Sequence, residues 1–196
     1  MADVLVFHHL KGLTPGVRSF AQRLRDAGHT VTAPDLFGGR TFKSLDDGLA
    51  FVRSAEADID ARLEQATSDL PADIVYIGFS YGVMAAQRLA QNRPGARGAV
   101  LIESAAPLTG EWGFGPWPHQ VPVQVHGKDA DEFFVGEGDV DNAKEIVDAA
   151  DDGALFLYPG PEHLFADESL PTYDPASAAL LEERVLSFLA RIDERA

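Results

Sequence analysis

The sequence contains no cysteine and has few basic residues, with 16 lysines and arginines against 31 aspartates and glutamates. Without cysteine, the chain can form no disulfide, no thiolate metal site and no thiol nucleophile. The formal net charge of −15 disfavours contact with phosphate backbones and with anionic lipid surfaces. We therefore expect neither nucleic acid nor a membrane among the partners of this protein.

Long hydrophobic runs are also missing. The first apolar run, residues 4–7, is too short for the core of a signal peptide and has no basic segment before it. No stretch approaches the length of a membrane span. These features favour a cytoplasmic protein. A chain of 196 residues, 45% of them hydrophobic, is long enough for one sizeable core, so we predict a single domain over residues 1–196.

Short apolar runs alternate with longer amphipathic segments along the chain. The runs predict strands at residues 4–8, 30–33, 74–77, 99–102, 121–125 and 154–158. The segments between them predict helices at residues 15–28, 45–66, 83–89, 140–149 and 175–192, with Thr14 and Ser44 as N-caps. This pattern indicates an α/β fold with a mainly parallel sheet of about six strands and helices on both faces. In such folds, reacting groups gather beyond the carboxyl ends of the strands.

The pentapeptide Gly78-Phe79-Ser80-Tyr81-Gly82 lies between a predicted strand and a predicted helix. A G-x-S-x-G motif in that context is typical of a nucleophile elbow, a strained turn that exposes the serine hydroxyl. The glycines are needed because the tight packing of strand on helix leaves no room for Cβ atoms on either side. Ser80 is therefore the candidate nucleophile.

A serine hydroxyl needs a general base, and the base needs an acid to orient it. His163 follows the last predicted strand, in a turn opened by prolines and a glycine, and is the candidate base. Asp129 and Asp131 both follow the preceding strand and compete as the acid. We favour Asp131, because the aromatic residues after it can anchor the loop and shield a carboxylate. The resulting order of serine, aspartate and histidine is that of α/β-hydrolases.

These motifs together resemble the dienelactone hydrolase family, a compact branch of the α/β-hydrolases. The resemblance covers nearly the whole chain: residues 33–39 (APDLFGG), the elbow at residues 78–82, and the histidine segment at residues 159–167 (PGPEHLFAD). It implies an α/β-hydrolase fold and a triad of Ser80, Asp131 and His163. We expect no cofactor and no metal.

The chain departs from the founding members of that family at three positions. The family's cysteine nucleophile is replaced by Ser80, and its glutamate after the first strand is replaced by His9. Its substrate-clamping arginine is replaced by Asp167, which would repel the carboxylate of a dienelactone. We expect the fold and the triad to be retained but the named substrate to differ.

The oxyanion hole is expected to use the backbone N–H of Tyr81, which follows the nucleophile at the start of a helix. The resemblance places the second donor at Leu10, in the loop after the first strand. His9, nearby, is a candidate substrate-binding residue. It cannot easily share a metal ion with His8, because adjacent residues of a strand point to opposite faces.

A long connection at residues 105–120 is rich in glycine and proline and contains Trp112 and Trp117. Loops of this length are often functional, so both tryptophans are candidates for the roof of an apolar acyl pocket. The alternative is that they fill a gap beneath the loop.

These observations predict a serine hydrolase that cleaves a small ester or lactone. An acyltransferase or thioesterase would use the same triad, and a binding protein that has lost catalysis would retain the same fold. A flavodoxin-like nucleotide binder is a weaker alternative, because residues 9–12 make a poor phosphate loop. The sequence leaves the oligomeric state unknown.

Overall fold

A single parallel sheet organises the molecule. The computed structural model describes residues 1–194, so the last two residues of the predicted domain lie outside it. Every strand pairs in parallel with its neighbours, and the order across the sheet is β2-β1-β3-β4-β5-β6. The strands are β1 (Asp3–Phe7), β2 (Thr30–Thr32), β3 (Ile74–Phe79), β4 (Gly98–Ile102), β5 (Val123–Lys128) and β6 (Gly153–Tyr158). The predicted six-stranded α/β fold is confirmed.

Helices cover both faces of this sheet. They are α1 (Pro15–Asp26), α2 (Leu45–Ser68), α3 (Gly82–Asn92), α4 (Asp139–Ala149) and α5 (Pro175–Glu194). The hydroxyls of Thr14 and Ser44 accept hydrogen bonds from the amides of Val17 and Asp47, so both predicted N-caps are present. None of the helices in residues 1–194 has the length and apolar character to cross a membrane.

The core has two layers because successive strand residues point to opposite faces. On one face, Val4 and Val6 of β1 pack in a cluster with residues of α1 and α5. On the other, Leu5 and Phe7 pack with residues of α2, α3 and α4. The central strands β3, β4 and β5 are buried along their whole length, as expected of a parallel sheet covered on both sides.

The strand β5 extends three residues beyond its predicted end at Val125. His126, Gly127 and Lys128 are poor indicators of a strand, yet each pairs with a residue of β6. His126 is buried and bonds through Nδ1 to the Tyr158 hydroxyl at 2.9 Å. Lys128 is buried and donates hydrogen bonds to Asp174 and Ser177. Polar partners from neighbouring elements therefore permit a strand that hydrophobicity alone does not indicate.

Candidate active site

Ser80 lies in a strained turn between β3 and α3, at the carboxyl edge of the sheet. Its φ is 47°, in the left-handed region that non-glycine residues rarely adopt. A Cβ on Gly78 would lie 2.6 Å from the backbone of Gly82, and a Cβ on Gly82 would lie 2.5 Å from the carbonyl oxygen of Phe7. Both contacts are too short, so the two glycines permit the close approach of strand and helix that the elbow requires.

The loop after β6 brings His163 to Ser80. The Oγ of Ser80 is 2.8 Å from the Nε2 of His163, a normal hydrogen-bond distance. The serine side chain is almost buried, at 8% exposure, and the Phe133 ring packs against the imidazole with 4.8 Å between ring centroids. The nucleophile and its base therefore meet in a site that is largely shielded from water.

The structure places Asp131, and not Asp129, against His163. Asp131 is buried, and its Oδ2 lies 2.6 Å from the Nδ1 of His163. Its Oδ1 accepts a hydrogen bond from the Phe133 amide at 2.9 Å, at the start of a π-helical turn, Glu132–Gly136. Asp129 is exposed and accepts a hydrogen bond from the Gly160 amide at 3.0 Å.

The charges around His163 favour its protonated form. Burial alone would lower the pKa of this histidine. The hydrogen bond with Asp131 opposes burial, as do the negative charges of Glu103, Asp131 and Asp139, and together they raise the pKa. Asp131 also fixes the tautomer, because the Nδ1 proton that it accepts leaves Nε2 free to take a proton from Ser80.

Two backbone amides that follow the neighbouring strands β1 and β3 are available as donors. Within residues 1–194, neither the Tyr81 amide nor the Leu10 amide donates a hydrogen bond. Tyr81 directly precedes α3, whose N-terminus favours negative charge. Leu10 lies in a tight turn closed by a hydrogen bond from the Gly12 amide to the His9 carbonyl at 2.9 Å. The amides have the chemistry of the predicted oxyanion hole.

Sequence reasoning missed Glu103, the residue after β4. Its side chain is only 1% exposed, and its Oε1 accepts a hydrogen bond from the Phe165 amide at 3.0 Å. Its Oε2 is buried without a hydrogen-bond partner. Burial raises the pKa of this carboxyl to about 7. The sequence signal was available, since Glu103 ends a strand at the edge where the other site residues lie.

The side chains of Glu103, Asp131 and His163 form a compact acid–base cluster. Their donor atoms all lie within 4.8 Å of one another, as metal ligands would. However, the Nδ1 of His163 and the Oδ2 of Asp131 already share a proton in a 2.6 Å hydrogen bond. The cluster is therefore suited to holding and moving a proton rather than to binding an ion.

His9 does not line a pocket as expected, which corrects that prediction. Its side chain is fully buried, and its Nε2 lies 2.8 Å from the Oδ2 of Asp167. Its Nδ1 accepts a hydrogen bond from the Lys11 amide at 3.2 Å, so Nε2 holds the proton donated to Asp167. Asp167 is itself only 1% exposed. The two side chains satisfy each other in the core.

Of the two tryptophans, only Trp112 borders open space. Trp117 is 5% exposed and donates a hydrogen bond from Nε1 to the Val121 carbonyl at 2.8 Å, so it fills the gap beneath the loop and is not a pocket residue. Trp112 is 77% exposed and lines a cavity of about 390 Å³ between α2 and α3. Tyr81 and Met84 line the same cavity, which connects it to the elbow.

The sheet order, the elbow and the Ser80, His163 and Asp131 contacts define an α/β-hydrolase. The profile of the dienelactone hydrolase family matches residues 1–193. The chain therefore belongs to the dienelactone hydrolase family, as its motifs indicated. No curated protein matches the sequence significantly.

Solved structures show the same fold at low sequence identity. A protein of Klebsiella pneumoniae assigned as a dienelactone hydrolase is 19% identical with a TM-score of 0.72, and the match covers 97% of this chain and 87% of that one. A dienelactone hydrolase-like promiscuous phosphotriesterase from metagenomic libraries is 18% identical with a TM-score of 0.72, covering 98% and 87% of the two chains. A thermophilic esterase of Thermogutta terrifontis is 16% identical with a TM-score of 0.62, covering 97% and 83%.

Proposed function

We propose that this protein is a serine hydrolase that cleaves small carboxylic esters or lactones through an acyl-enzyme on Ser80. The observation on which this rests is the continuous set of contacts from Ser80 to His163 to Asp131, at 2.8 Å and 2.6 Å. A hydroxyl, an imidazole and a buried carboxylate in this order can activate the serine at neutral pH.

In the first step, the Ser80 Oγ attacks the ester carbonyl carbon while its proton passes to the Nε2 of His163. The carbonyl oxygen becomes an oxyanion, which the amides of Tyr81 and Leu10 stabilise by hydrogen bonds. The bond to the leaving alkoxide then breaks, and His163 donates its proton to that oxygen. The alcohol leaves and the acyl group remains on Ser80; a lactone stays attached as a hydroxyacyl chain.

In the second step, water takes the place of the alcohol. His163 accepts a proton from the water, whose oxygen attacks the acyl carbon. The same amides stabilise the second oxyanion, and the proton returns to Ser80 as the acid is released. Asp131 keeps the imidazole in one tautomer and stabilises its charge in both steps. The overall reaction consumes one water and restores the free serine.

Two observations support a small and uncharged substrate. The cavity beside Tyr81 holds about 390 Å³, and its lining includes Leu36, Met84 and Trp112. Asp167 stands at the position of the family's substrate-clamping arginine. It is buried against His9 and offers no positive charge to an anionic substrate. The Thermogutta terrifontis esterase has propionate bound, a short carboxylate of the kind that hydrolysis of a small ester would release, which is consistent with this size class.

Replacing the nucleophile tests the proposal. We expect Ser80→Ala to reduce hydrolysis of 4-nitrophenyl acetate and butyrate on the order of 10⁴-fold or more, because no other hydroxyl in residues 1–194 is hydrogen-bonded to His163. Thermal unfolding should show a folded variant. Ser54→Ala removes an exposed serine hydroxyl from α2 and serves as the matched control, with activity unchanged.

The alternative functions would give different results in the same assay. A Ser80→Ala variant that retains most of its activity would place the chemistry elsewhere. A folded wild type without activity on any ester or lactone would favour a binding protein. Faster transfer of the acyl group to an added alcohol or thiol than to water would favour an acyltransferase.

A further inference from the structure

The space around His163 contains a buried acid that the triad does not use. Glu103 follows β4. In the sheet, β4 lies between β3, which precedes Ser80, and β5, which precedes Asp131. Its amide donates a hydrogen bond to the His126 carbonyl at 2.7 Å, and its φ is 62°. A residue other than glycine is strained in this left-handed region, and such strain is found most often at functional positions.

The contacts of Glu103 join it to the loop that holds His163. Oε1 accepts a hydrogen bond from the Phe165 amide, two residues after the histidine. Leu164, between them, also has a positive φ of 62°. Oε2 is buried without a hydrogen-bond partner, which is unusual for a carboxylate oxygen. A carboxylate oxygen of Glu103 lies within 4.8 Å of ligand atoms of Asp131 and His163, so the imidazole that becomes charged in the proposed reaction is close to this carboxyl.

We propose that Glu103 is a second acid of the active centre, a positioning residue that fixes the His163 loop and stabilises the imidazolium together with Asp131. The inference rests on the proposed function, in which His163 becomes charged in each step. When Glu103 is ionised, two carboxylates and a neutral histidine give the cluster an excess of negative charge, and proton uptake by His163 relieves it. The hydrogen bond from the Phe165 amide holds the Glu103 carboxyl in place, so that its charge acts on the imidazole of His163.

The surrounding charges are consistent with this role. Three acidic side chains influence His163: Asp131 after β5, Glu103 after β4, and Asp139 at the start of α4. The Asp139 carboxylate is already satisfied by the Ser104 hydroxyl at 2.6 Å and the Ala105 amide at 3.1 Å. Of these three side chains in residues 1–194, Glu103 alone has a buried oxygen without a hydrogen-bond partner.

The test is the titration of His163 in Glu103→Gln, measured by NMR on the imidazole signal that disappears in His163→Gln. Glutamine retains an acceptor for the Phe165 amide but has no negative charge. We expect the midpoint of the His163 titration to fall by about half to one pH unit, because a nearby carboxylate is removed. The rate at the alkaline plateau should fall about three- to tenfold, since one unit of pKa corresponds to about a tenfold effect.

Glu137→Gln is the matched control, because Glu137 is an exposed glutamate, and this variant should leave both the His163 midpoint and the rate unchanged. An unchanged midpoint in Glu103→Gln would overturn the inference, as would a loss of thermal stability alone, which would make Glu103 only a loop anchor. The NMR titration needs no turnover. It therefore separates failure of this inference from failure of the proposed function, which the Ser80→Ala assay reports.

Discussion

At the scale of single residues, backbone strain coincides with the candidate active site. Apart from glycines, the residues with positive φ in residues 1–194 are Ser80, Glu103 and Leu164. Ser80 contacts His163 directly, Leu164 follows it in the chain, and Glu103 bonds the same loop. Such conformations are held only when the surrounding structure determines them strongly, and they concentrate at functional sites. The strained residues thus identify this region independently of the triad.

The choice of acid gives a prediction at this scale. Asp131→Asn should reduce kcat about 10³–10⁴-fold, because an amide in place of the carboxylate favours the wrong tautomer of His163. Asp129→Asn should have little effect, since its carboxylate is exposed and bonds only the Gly160 amide. Steady-state kinetics of the two variants make the comparison. A larger loss in Asp129→Asn would exchange their roles.

The candidate triad could be predicted from sequence because each member follows an apolar strand in a recognisable turn. Glu103 also follows an apolar strand, but no recognisable motif surrounds it, and the sequence does not show that its side chain is buried. The predictions for His9 and Trp117 were wrong for a related reason. Sequence places these side chains near the site but does not tell which way they point, and both are satisfied by partners in the core.

At the scale of elements, four adjacent parallel strands bring the site together. β3, β4, β5 and β6 lie next to one another, and Ser80, Glu103, Asp131 and His163 follow them in that order. Because parallel strands all end at one edge, residues distant in sequence converge there. Alternation of apolar runs was enough to predict these strands. The end of β5 was not predictable, because its polar residues depend on partners in β6 and α5.

The glycine after Tyr81 gives a prediction for the elbow. Gly82→Ala should destabilise the protein by about 1–3 kcal/mol, because the added methyl overpacks a site where the Phe7 carbonyl would be 2.5 Å away. Activity should fall as the turn shifts. Gly136→Ala is the control, since its Cβ would meet its nearest neighbour at 3.7 Å. Urea unfolding of both variants is the measurement, and equal stabilities would contradict the packing argument.

At the scale of the whole molecule, a buried aspartate joins distant segments. Asp167 accepts hydrogen bonds from His9 after β1, from Thr14 at the start of α1, and from Ser169 in its own loop. Burial would raise the pKa of Asp167, but these hydrogen bonds lower it to about 2. The network therefore fixes the first loop, the first helix and the segment after His163 relative to one another.

This network predicts how stability depends on pH. A carboxyl with a pKa of about 2 in the folded state and about 3.9 when unfolded contributes about 2–3 kcal/mol above pH 4, and that contribution is lost as pH falls towards 2. Asp167→Asn should lower stability at pH 7 and flatten the acid side of the profile. Asp141→Asn, a 76% exposed control, should do neither. Chemical unfolding between pH 2 and pH 7 measures both, and an unchanged acid limb in Asp167→Asn would contradict this account.

The central claim, an activated serine at residue 80, is tested most directly by labelling with a fluorophosphonate probe and mapping the modified peptide by mass spectrometry. We predict stoichiometric labelling of wild type at Ser80 and none of Ser80→Ala, because the probe reacts with a serine whose proton His163 can accept. Absence of labelling in folded wild type, or labelling that persists in Ser80→Ala, would contradict the account.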